Sequence, residues 1–353
     1  MLSQDSSNYI DQQRTAIHAV LGRLLAGNSA ALVGAPNHNN VGDSAIWLGE
    51  VSYLRRSATP VLYQCDMNTY RPESIHSLPE RTTVLLHGGG NFGDIWPRQQ
   101  SFRETVARDC KQRMVVQLPQ TFDYSSPSSR AVSLSATYFH DNFAALARDR
   151  ESYEQAATHG VDVSLCPDMA FCLGAIKPGR SPGSDVVWIL RHDKEATSHG
   201  PFPEGLPFSN IITDWLLTGT SHQIARGRRA LTVRTRSTLE YAARRDVNDS
   251  RMAKAAGHIA RAVLDKSFTP LARLRTRRGI SLLRHGRILV TDRLHAHILA
   301  VLMGVPSVVL DNAHGKIRRY HETFGVPPVT FSAGSLVNAA EIAESLLLED
   351  AAS

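Results

Sequence analysis

The sequence predicts an α/β fold in which two Rossmann-like domains face a cleft. Short apolar runs alternate with helical patterns, and this alternation is typical of parallel sheets with crossover helices. At 353 residues the chain exceeds the ~250–300 at which one hydrophobic core usually splits into two. A stretch rich in Pro, Gly and Ser at 177–184 predicts a linker between domains at 1–176 and 185–334, with a C-terminal helix within 335–353.

Hydrophobic runs and helical spacings place the elements of both domains. In the first domain we expect strands at 30–33, 60–63, 83–87, 114–118 and 161–163, and helices at 44–56, 100–112, 140–148 and 152–159. In the second we expect strands at 186–190, 288–290 and 306–310, and helices after residue 293 and at 336–348. Ligands of such sheets bind outside the carboxyl ends of the strands, so the polar loops there form the candidate site.

The tripeptide Arg293-Leu294-His295 is the most informative of these loops. It follows the apolar run 288–290, and apolar residues then recur at helical spacing from Leu294, which we expect to face the core. Asp292 is a residue type that favours the N-cap of a helix. Free N–H groups at a helix start favour anions, and a guanidinium beside an imidazole suits a phosphorylated acid. A surface arginine with a capping histidine remains the alternative.

Two further cations follow strands of the second domain. Arg191 comes after the strand at 186–190, and Lys316 lies shortly after the strand at 306–310. With Arg293 they form a set of three cations in neighbouring loops. Such a set matches a phosphate plus a carboxylate better than a neutral sugar.

The glycine loop after the strand at 83–87 has several interpretations. Residues 88–93 match the pattern GxGxxG, but a dinucleotide site also needs an acidic residue after the next strand, which we expect to end in Pro119-Gln120. The chain contains no G-x-S-x-G elbow and no Walker A motif. We therefore expect Gly89, Gly90 and Asn91 to bring backbone close to a ligand without binding NAD.

The polar loop at 37–43 also links a strand to a helix. Asn40 and Asp43 could hydrogen-bond a polyol there, with Asp43 acting as a base. The alternative is that Asp43 and Ser44 only cap the helix that follows.

Composition places the chain among ordinary globular proteins, with 42% hydrophobic and 20% charged residues. The N-terminus lacks the layout of a signal peptide, and the longest apolar stretch, 298–310, is too short to span a bilayer. The four cysteines show no CxxC pairing, which predicts reduced thiols in a cytoplasmic protein.

The net charge of +6 hides a basic segment at 222–287, which holds 17 Arg and Lys against 4 Asp and Glu. Within it, apolar residues form a helical stripe opposite a basic one: Met252, Ala255, Ala256, Ile259 and Val263 against Arg251, Lys254, His258 and Arg261. Two interpretations of this segment are possible: a solvated helix, or a surface that binds anionic lipid or a diphosphate. Nucleic acid is not expected as a partner, because no nucleic-acid-binding module is present.

Taken in order, these motifs resemble those of the polysaccharide pyruvyl transferase family. The resemblance covers roughly residues 30 to 325. The matching pieces are 40–45, 87–91, 148–152, 167–170, Arg191, 293–296, 304–306 and Lys316.

The resemblance implies a fold similar to the B-type glycosyltransferases and phosphoenolpyruvate as donor. It implies a cyclic ketal formed on two hydroxyls of one sugar, in a bacterial surface polysaccharide or its lipid-linked precursor, with release of phosphate. Arg191 and the Arg293-Leu294-His295 motif would bind the donor, and His295 would be catalytic. Neither a metal nor a further cofactor is expected, and the enzyme would work in the cytoplasm, where its basic segment could meet the inner face of the membrane.

A mechanism follows from these roles. His295 would protonate the methylene carbon of the donor, and Asp43 or His140 would take a proton from the sugar. A helix start disfavours imidazolium, so the negative charges of the donor would have to stabilise the protonated His295.

Two other functions remain compatible with the residues alone. One is a nucleotide-sugar-dependent glycosyltransferase of the same fold. The other is a non-catalytic basic protein that binds a membrane surface or nucleic acid.

Overall fold

The computed structural model describes residues 2–138, 141–177, 182–192, 195–214 and 251–352. Within these ranges it describes the side chains of all residues except 136–138, 251–262, 264, 265 and 352. The first sheet is parallel throughout, in the order β2-β1-β3-β5-β6-β7, with β4 beside β5. Its strands are β1 (Ser29–Val33), β2 (Val61–Cys65), β3 (Thr82–Leu86), β4 (Gly89–Phe92), β5 (Val115–Phe122), β6 (Phe143–Ala147) and β7 (Asp162–Leu165).

Helices cover both faces of this sheet, as crossover connections between parallel strands require. They are α1 (Gln4–Leu24), α2 (Val41–Arg56), α3 (Pro72–His76), α4 (Pro97–Asp109), α5 (Pro127–Tyr138) and α6 (Arg150–Thr158), followed by a 3₁₀ turn at Met169–Leu173.

The second sheet is also parallel, in the order β12-β11-β10-β8-β9. Its strands are β8 (Ser184–Ile189), β9 (Asn210–Thr213), β10 (Gly286–Thr291), β11 (Ser307–Val309) and β12 (Thr330–Ser332), and its helices are α7 (Arg251–Leu283), α8 (Leu294–Met303), α9 (Lys316–Phe324) and α10 (Leu336–Ala352). Two parallel α/β units confirm the predicted fold class. The linker at 177–184 stays a prediction, since residues 178–181 lie outside the described part of the chain.

The two sheets share one hydrophobic core, which runs from α1 and α2 to β10 and α8. Polar contacts also link the part of the chain around the first sheet to the part around the second. The Tyr320 hydroxyl donates to Gln13 Oε1 at 3.1 Å, and Trp47 Nε1 on α2 donates to Thr269 Oγ1 on α7 at 3.3 Å. The cleft therefore lies between walls that are packed together at its base.

The helix expected at 140–148 is wrong. Residues Phe143–Ala147 form β6 instead, a fully buried strand between β5 and β7. Such a strand shows no alternation of polar and apolar residues, so its pattern resembles that of a buried helix segment.

Strand β5 also runs past its expected end at residue 118. It continues to Phe122, so that Asp123, and not Gln120, is the first residue beyond it. The argument that no carboxylate follows this strand is therefore wrong. Asp123 forms ion pairs with Lys316 at 3.2 Å and with Arg319 at 3.0 Å, which joins the two domains across the cleft.

A buried pair of histidines, one on α8 and one on α9, should make the stability of the protein depend on pH. His297 Nε2 lies 3.0 Å from His321 Nε2, and burial lowers the pKa of His321 to about 4. Burial, and then the neighbouring His321, also lowers the pKa of His297. In the unfolded chain both groups have a pKa of ~6.5, so below that pH the unfolded state binds more protons.

We expect the free energy of unfolding to fall by about 2 kcal/mol between pH 7 and pH 5 through His321 alone, and to be insensitive to this pair above pH 7. Urea titrations at the two pH values measure the difference. His321→Gln should reduce this difference in the free energy of unfolding between pH 7 and pH 5. His76→Gln, at an exposed site, should leave the difference as large as in wild type. Equal pH dependence in wild type and His321→Gln would contradict this account.

Candidate active site

The predicted site residues line one cavity of ≈ 390 Å³ between the domains, at the carboxyl ends of the strands. Its lining residues are His38, Asn39, Asn40, Asp43, Gly90, Asn91, Trp96, Gln99, Arg148, Arg191, Glu195, Arg293, Leu294, His295, Asn312 and Lys316. Gly89 lies just behind this lining, where an added β-carbon would be 3.7 Å from Asp43 Oδ1. His140 lies outside the described residues.

Arg293 is held at the start of α8 by a buried carboxylate. It is the N-cap of α8, in place of the expected Asp292, whose carboxylate accepts the backbone N–H of Arg191 at 2.9 Å. The Arg293 guanidinium meets Asp214 through Nε at 2.7 Å and through Nη2 at 2.9 Å. One hydrogen bond from Nη2, together with the ion pair at Nε, orients the guanidinium before a ligand arrives.

Arg191 and Lys316 share a second carboxylate inside the cleft. Glu195 lies 2.7 Å from Arg191 Nη2 and 3.1 Å from Lys316 Nζ. Burial opposes ionisation of Glu195, but Lys316 and then Arg191 outweigh it and hold the pKa of this carboxyl below its usual range. An ionised carboxylate thus occupies the space between two cations that the sequence assigns to an anionic ligand.

His295 faces an ion pair from the first domain. Its Nε2 lies 3.1 Å from Asp168 Oδ2 and 3.4 Å from Arg148 Nη1, and Arg148 contacts the same Asp168 oxygen at 2.6 Å. Burial alone would raise the pKa of Asp168, but His295 and then Arg148 lower it below its usual range. An ionised carboxylate therefore lies within hydrogen-bonding distance of the His295 imidazole before any donor binds.

The loop at 37–43 uses one of its two candidate residues as a cap. Asn40 is the N-cap of α2 and accepts the Gly42 N–H at 2.9 Å, so the expectation of a cap at Asp43 or Ser44 is wrong. Asp43 instead lies in the first turn of α2, where its carboxylate is 3.4 Å from His38 Nε2 and lines the cavity. Asp43 thus presents its carboxylate to the cavity.

The glycine loop packs closely against protein groups at Gly88 and Gly90. Gly88 donates its N–H to the buried Glu50 at 2.9 Å, and an added β-carbon there would lie 2.9 Å from the Pro119 carbonyl oxygen. At Gly90 an added β-carbon would lie 2.7 Å from Arg148 Nη2, and the Gly90 carbonyl accepts from Lys316 at 3.3 Å. The absence of side chains lets two cations approach this backbone closely.

Comparison with known proteins places the chain in a family. The family model for polysaccharide pyruvyl transferase matches residues 40–314, most of the chain. The chain belongs to the polysaccharide pyruvyl transferase family. The protein is therefore an enzyme, and its family implies a glycan acceptor.

Individual relatives agree with this assignment. "Pyruvyl transferase 1" of Schizosaccharomyces pombe is 31% identical over 340 residues, which cover 90% of this chain and 75% of that protein. "Putative pyruvyl transferase EpsO" of Bacillus subtilis is 25% identical, with 83% and 84% covered. A crystal structure of a functional uncharacterized protein from Klebsiella pneumoniae matches with a TM-score of 0.55 at 16% identity, over 91% of this chain and 98% of that one. This last likeness supports the fold alone.

Several residues of this pyruvyl transferase site were not among the predicted ones, including the charged residues Arg148, Asp168, Glu195 and Asp214. Arg148 and Asp168 stand in the motifs that carry the family resemblance, so the sequence held a signal for them. Glu195 and Asp214 stand in no motif. Their places beside Arg191 and Arg293 follow only from the folded loops after β8 and β9.

The part of the chain that the structure describes contains no group of three or more His, Cys, Asp or Glu that could hold a metal ion. It also contains no helix long and apolar enough to cross a membrane. The four cysteines are all buried.

The position of His295 depends on a glycine in the opposite domain. A β-carbon added at Gly42 would lie 2.6 Å from His295 Nδ1 and 2.8 Å from Cγ. We expect Gly42→Ala to displace the imidazole and to lower kcat by about 10²-fold, as for other small misplacements in active sites.

Steady-state kinetics measure this effect, and Gly22→Ala is the matched control. It also lies in a helix, and an added β-carbon there has no heavy atom within 4 Å. If both variants kept wild-type kcat, the close packing of His295 on Gly42 would have no catalytic role.

Proposed function

We propose that the enzyme transfers pyruvate from phosphoenolpyruvate to two hydroxyls of one sugar, forming a cyclic ketal and releasing phosphate. The observation that carries this proposal is the Glu195 bridge. One carboxylate satisfies both Arg191 and Lys316, next to the fixed guanidinium of Arg293, so the cleft is shaped for a small ligand with more than one negative charge.

In the donor complex, the phosphate and carboxylate of phosphoenolpyruvate replace Glu195 as partners of Arg191 and Lys316. Arg293 keeps its ion pair with Asp214 and presents its remaining N–H groups to the donor. Leu294, which is only 5% exposed, anchors the start of α8 in the core and keeps the neighbouring side chains in place.

The reaction begins with a proton from His295 to the methylene carbon of the donor, which becomes a methyl group. The central carbon gains positive character, and the first sugar hydroxyl adds to it while Asp43 accepts the hydroxyl proton. Phosphate then leaves with the oxygen that joined it to carbon and takes up the proton that Asp43 accepted, so that it is released as hydrogen phosphate. The second hydroxyl adds to the same carbon, and the proton that it loses balances the one that His295 delivered.

Asp168 and Arg148 position His295 for this reaction. The Asp168 carboxylate faces Nε2 and orients the imidazole so that Nδ1 points away from it, toward the α2 side of the cleft. Arg148 holds Asp168 in place and keeps it ionised.

The acceptor is a sugar of a bacterial surface polysaccharide or of its lipid-linked precursor, and the reaction takes place in the cytoplasm. Family membership supports the glycan. The open, polar rim formed by His38, Asn39 and Gln99 offers the hydrogen-bonding groups that a sugar requires.

Phosphorus NMR tests the proposed donor. The enzyme with phosphoenolpyruvate and a panel of glycans should release inorganic phosphate only when a suitable acceptor is present. Release should disappear in the variant His295→Ala. No release with any acceptor, together with tight binding of a nucleotide sugar, would overturn the proposal in favour of a glycosyltransferase.

A further inference from the structure

The C-terminal half of α7 carries a face of exposed side chains, at intervals of one to four residues along the helix. Between its described side chains at 263 and 283, this outward face consists of Val263, Lys266, Pro270, Arg273, Leu274, Arg277 and Ser281. These positions fall within a narrow arc of the helix, since successive residues turn by 100°. They therefore form one continuous stripe.

The opposite face of α7 is packed into the protein. Phe268 is buried against Trp47 of α2, with ring centroids 6.2 Å apart, and Ala272 and Thr276 are buried further along. Arg275 Nη1 donates to the Pro36 carbonyl at 2.9 Å. The helix is thus fixed in rotation, and its outward face points away from the core.

The charge on this stripe has one sign. No Asp or Glu occurs from Lys266 to Thr291, so Arg273 and Arg277 have no acidic neighbours along the helix, whereas Lys266 directly follows Asp265. Two apolar side chains stand among them, Leu274 at 66% exposure and Val263 at 47%. Cations mixed with exposed apolar side chains fit a lipid surface, where headgroups meet the cations and acyl chains meet the apolar groups.

We propose that the outward face of α7 binds an anionic lipid bilayer. Nucleic acid would use the cations through its phosphates but would leave Leu274 and Val263 in water. On the packed face of the same helix, Arg275 donates to Pro36, which directly precedes the polar loop at 37–43. The helix α7 would therefore lie between a bilayer on its outward face and this loop. Binding to the bilayer does not depend on the proposed reaction.

Co-sedimentation of the full chain with lipid vesicles tests the proposal. Wild type should bind vesicles of equimolar phosphatidylglycerol and phosphatidylcholine but not vesicles of phosphatidylcholine alone, and added salt should weaken binding. Each basic residue removed should reduce the partition coefficient about fivefold, so the triple variant Lys266→Gln, Arg273→Gln, Arg277→Gln should lose roughly 100-fold. Leu274→Ser should reduce binding further.

The control is the triple variant Arg55→Gln, Arg81→Gln, Arg108→Gln, which removes three exposed cations from the first domain. It should lose much less affinity than the α7 variant. Wild type that fails to bind anionic vesicles would overturn the proposal, as would an equal loss in both variants. Binding to duplex DNA without binding to vesicles would overturn it too. Thermal unfolding of both variants checks that each is folded.

Discussion

Replacing His295 with alanine should lower kcat by about 10²–10⁴-fold, because the variant lacks the group that protonates the donor. The fold should survive, since Asp168 keeps its 2.6 Å ion pair with Arg148 when the imidazole is gone. Affinity for phosphoenolpyruvate should change little, because the cations that hold it remain. Phosphate release measures kcat, and calorimetry measures donor binding.

His285→Ala is the control for this variant. His285 is exposed beyond the end of α7 and hydrogen-bonds the carbonyl of Ser281, far from the chemistry. Its loss should leave kcat unchanged. If His295→Ala kept more than a tenth of the wild-type kcat, another group would have to supply the proton.

Replacing Arg293 with lysine should raise KM for phosphoenolpyruvate by about 10–100-fold. Lysine keeps the positive charge beside Asp214 but has no planar fork, so it loses a charge-assisted hydrogen bond to the donor, worth roughly 1.5–3 kcal/mol. Arg293→Lys is preferred to Arg293→Ala, because alanine would leave the buried Asp214 without a counter-charge and would destabilise the fold.

The matched change is Arg287→Lys, on the neighbouring strand β10. Arg287 forms ion pairs with Asp185 and Asp350 at the surface, and such pairs contribute at most about 1 kcal/mol. Its kinetics should match wild type. A wild-type KM in Arg293→Lys would show that the forked guanidinium does not bind the donor.

Both variants test residues that the sequence already singled out, because local rules define their positions. A buried apolar run followed by helical spacing predicts a strand-to-helix turn, and α8 begins within it at Leu294. The same reasoning placed Arg191 after β8 and the glycine loop after β3. The carboxyl ends of parallel strands lie at one edge of a sheet. These short sequence patterns therefore placed most of the residues that line the cavity at the same edge.

The partners of these residues could not be predicted in the same way. Glu195 and Asp214 lie in loops without regular structure, and nothing in their spacing indicates the cations that they meet in the fold. The strand β6 was mistaken for a helix because every residue in it is buried. Capping by Asn40 was missed because Asp43 and Ser44 have equal intrinsic preference for that position.

The most direct test of ketal formation is the mass of the product made in D₂O from unlabelled phosphoenolpyruvate. If a proton from His295 reaches the methylene carbon, solvent deuterium on the imidazole should leave one deuterium in each new methyl group. The glycan should then carry a pyruvyl ketal with a CH₂D group, and phosphate should be released in equal amount. A product that keeps its CH₂ group as a vinyl ether, without deuterium, would contradict this account.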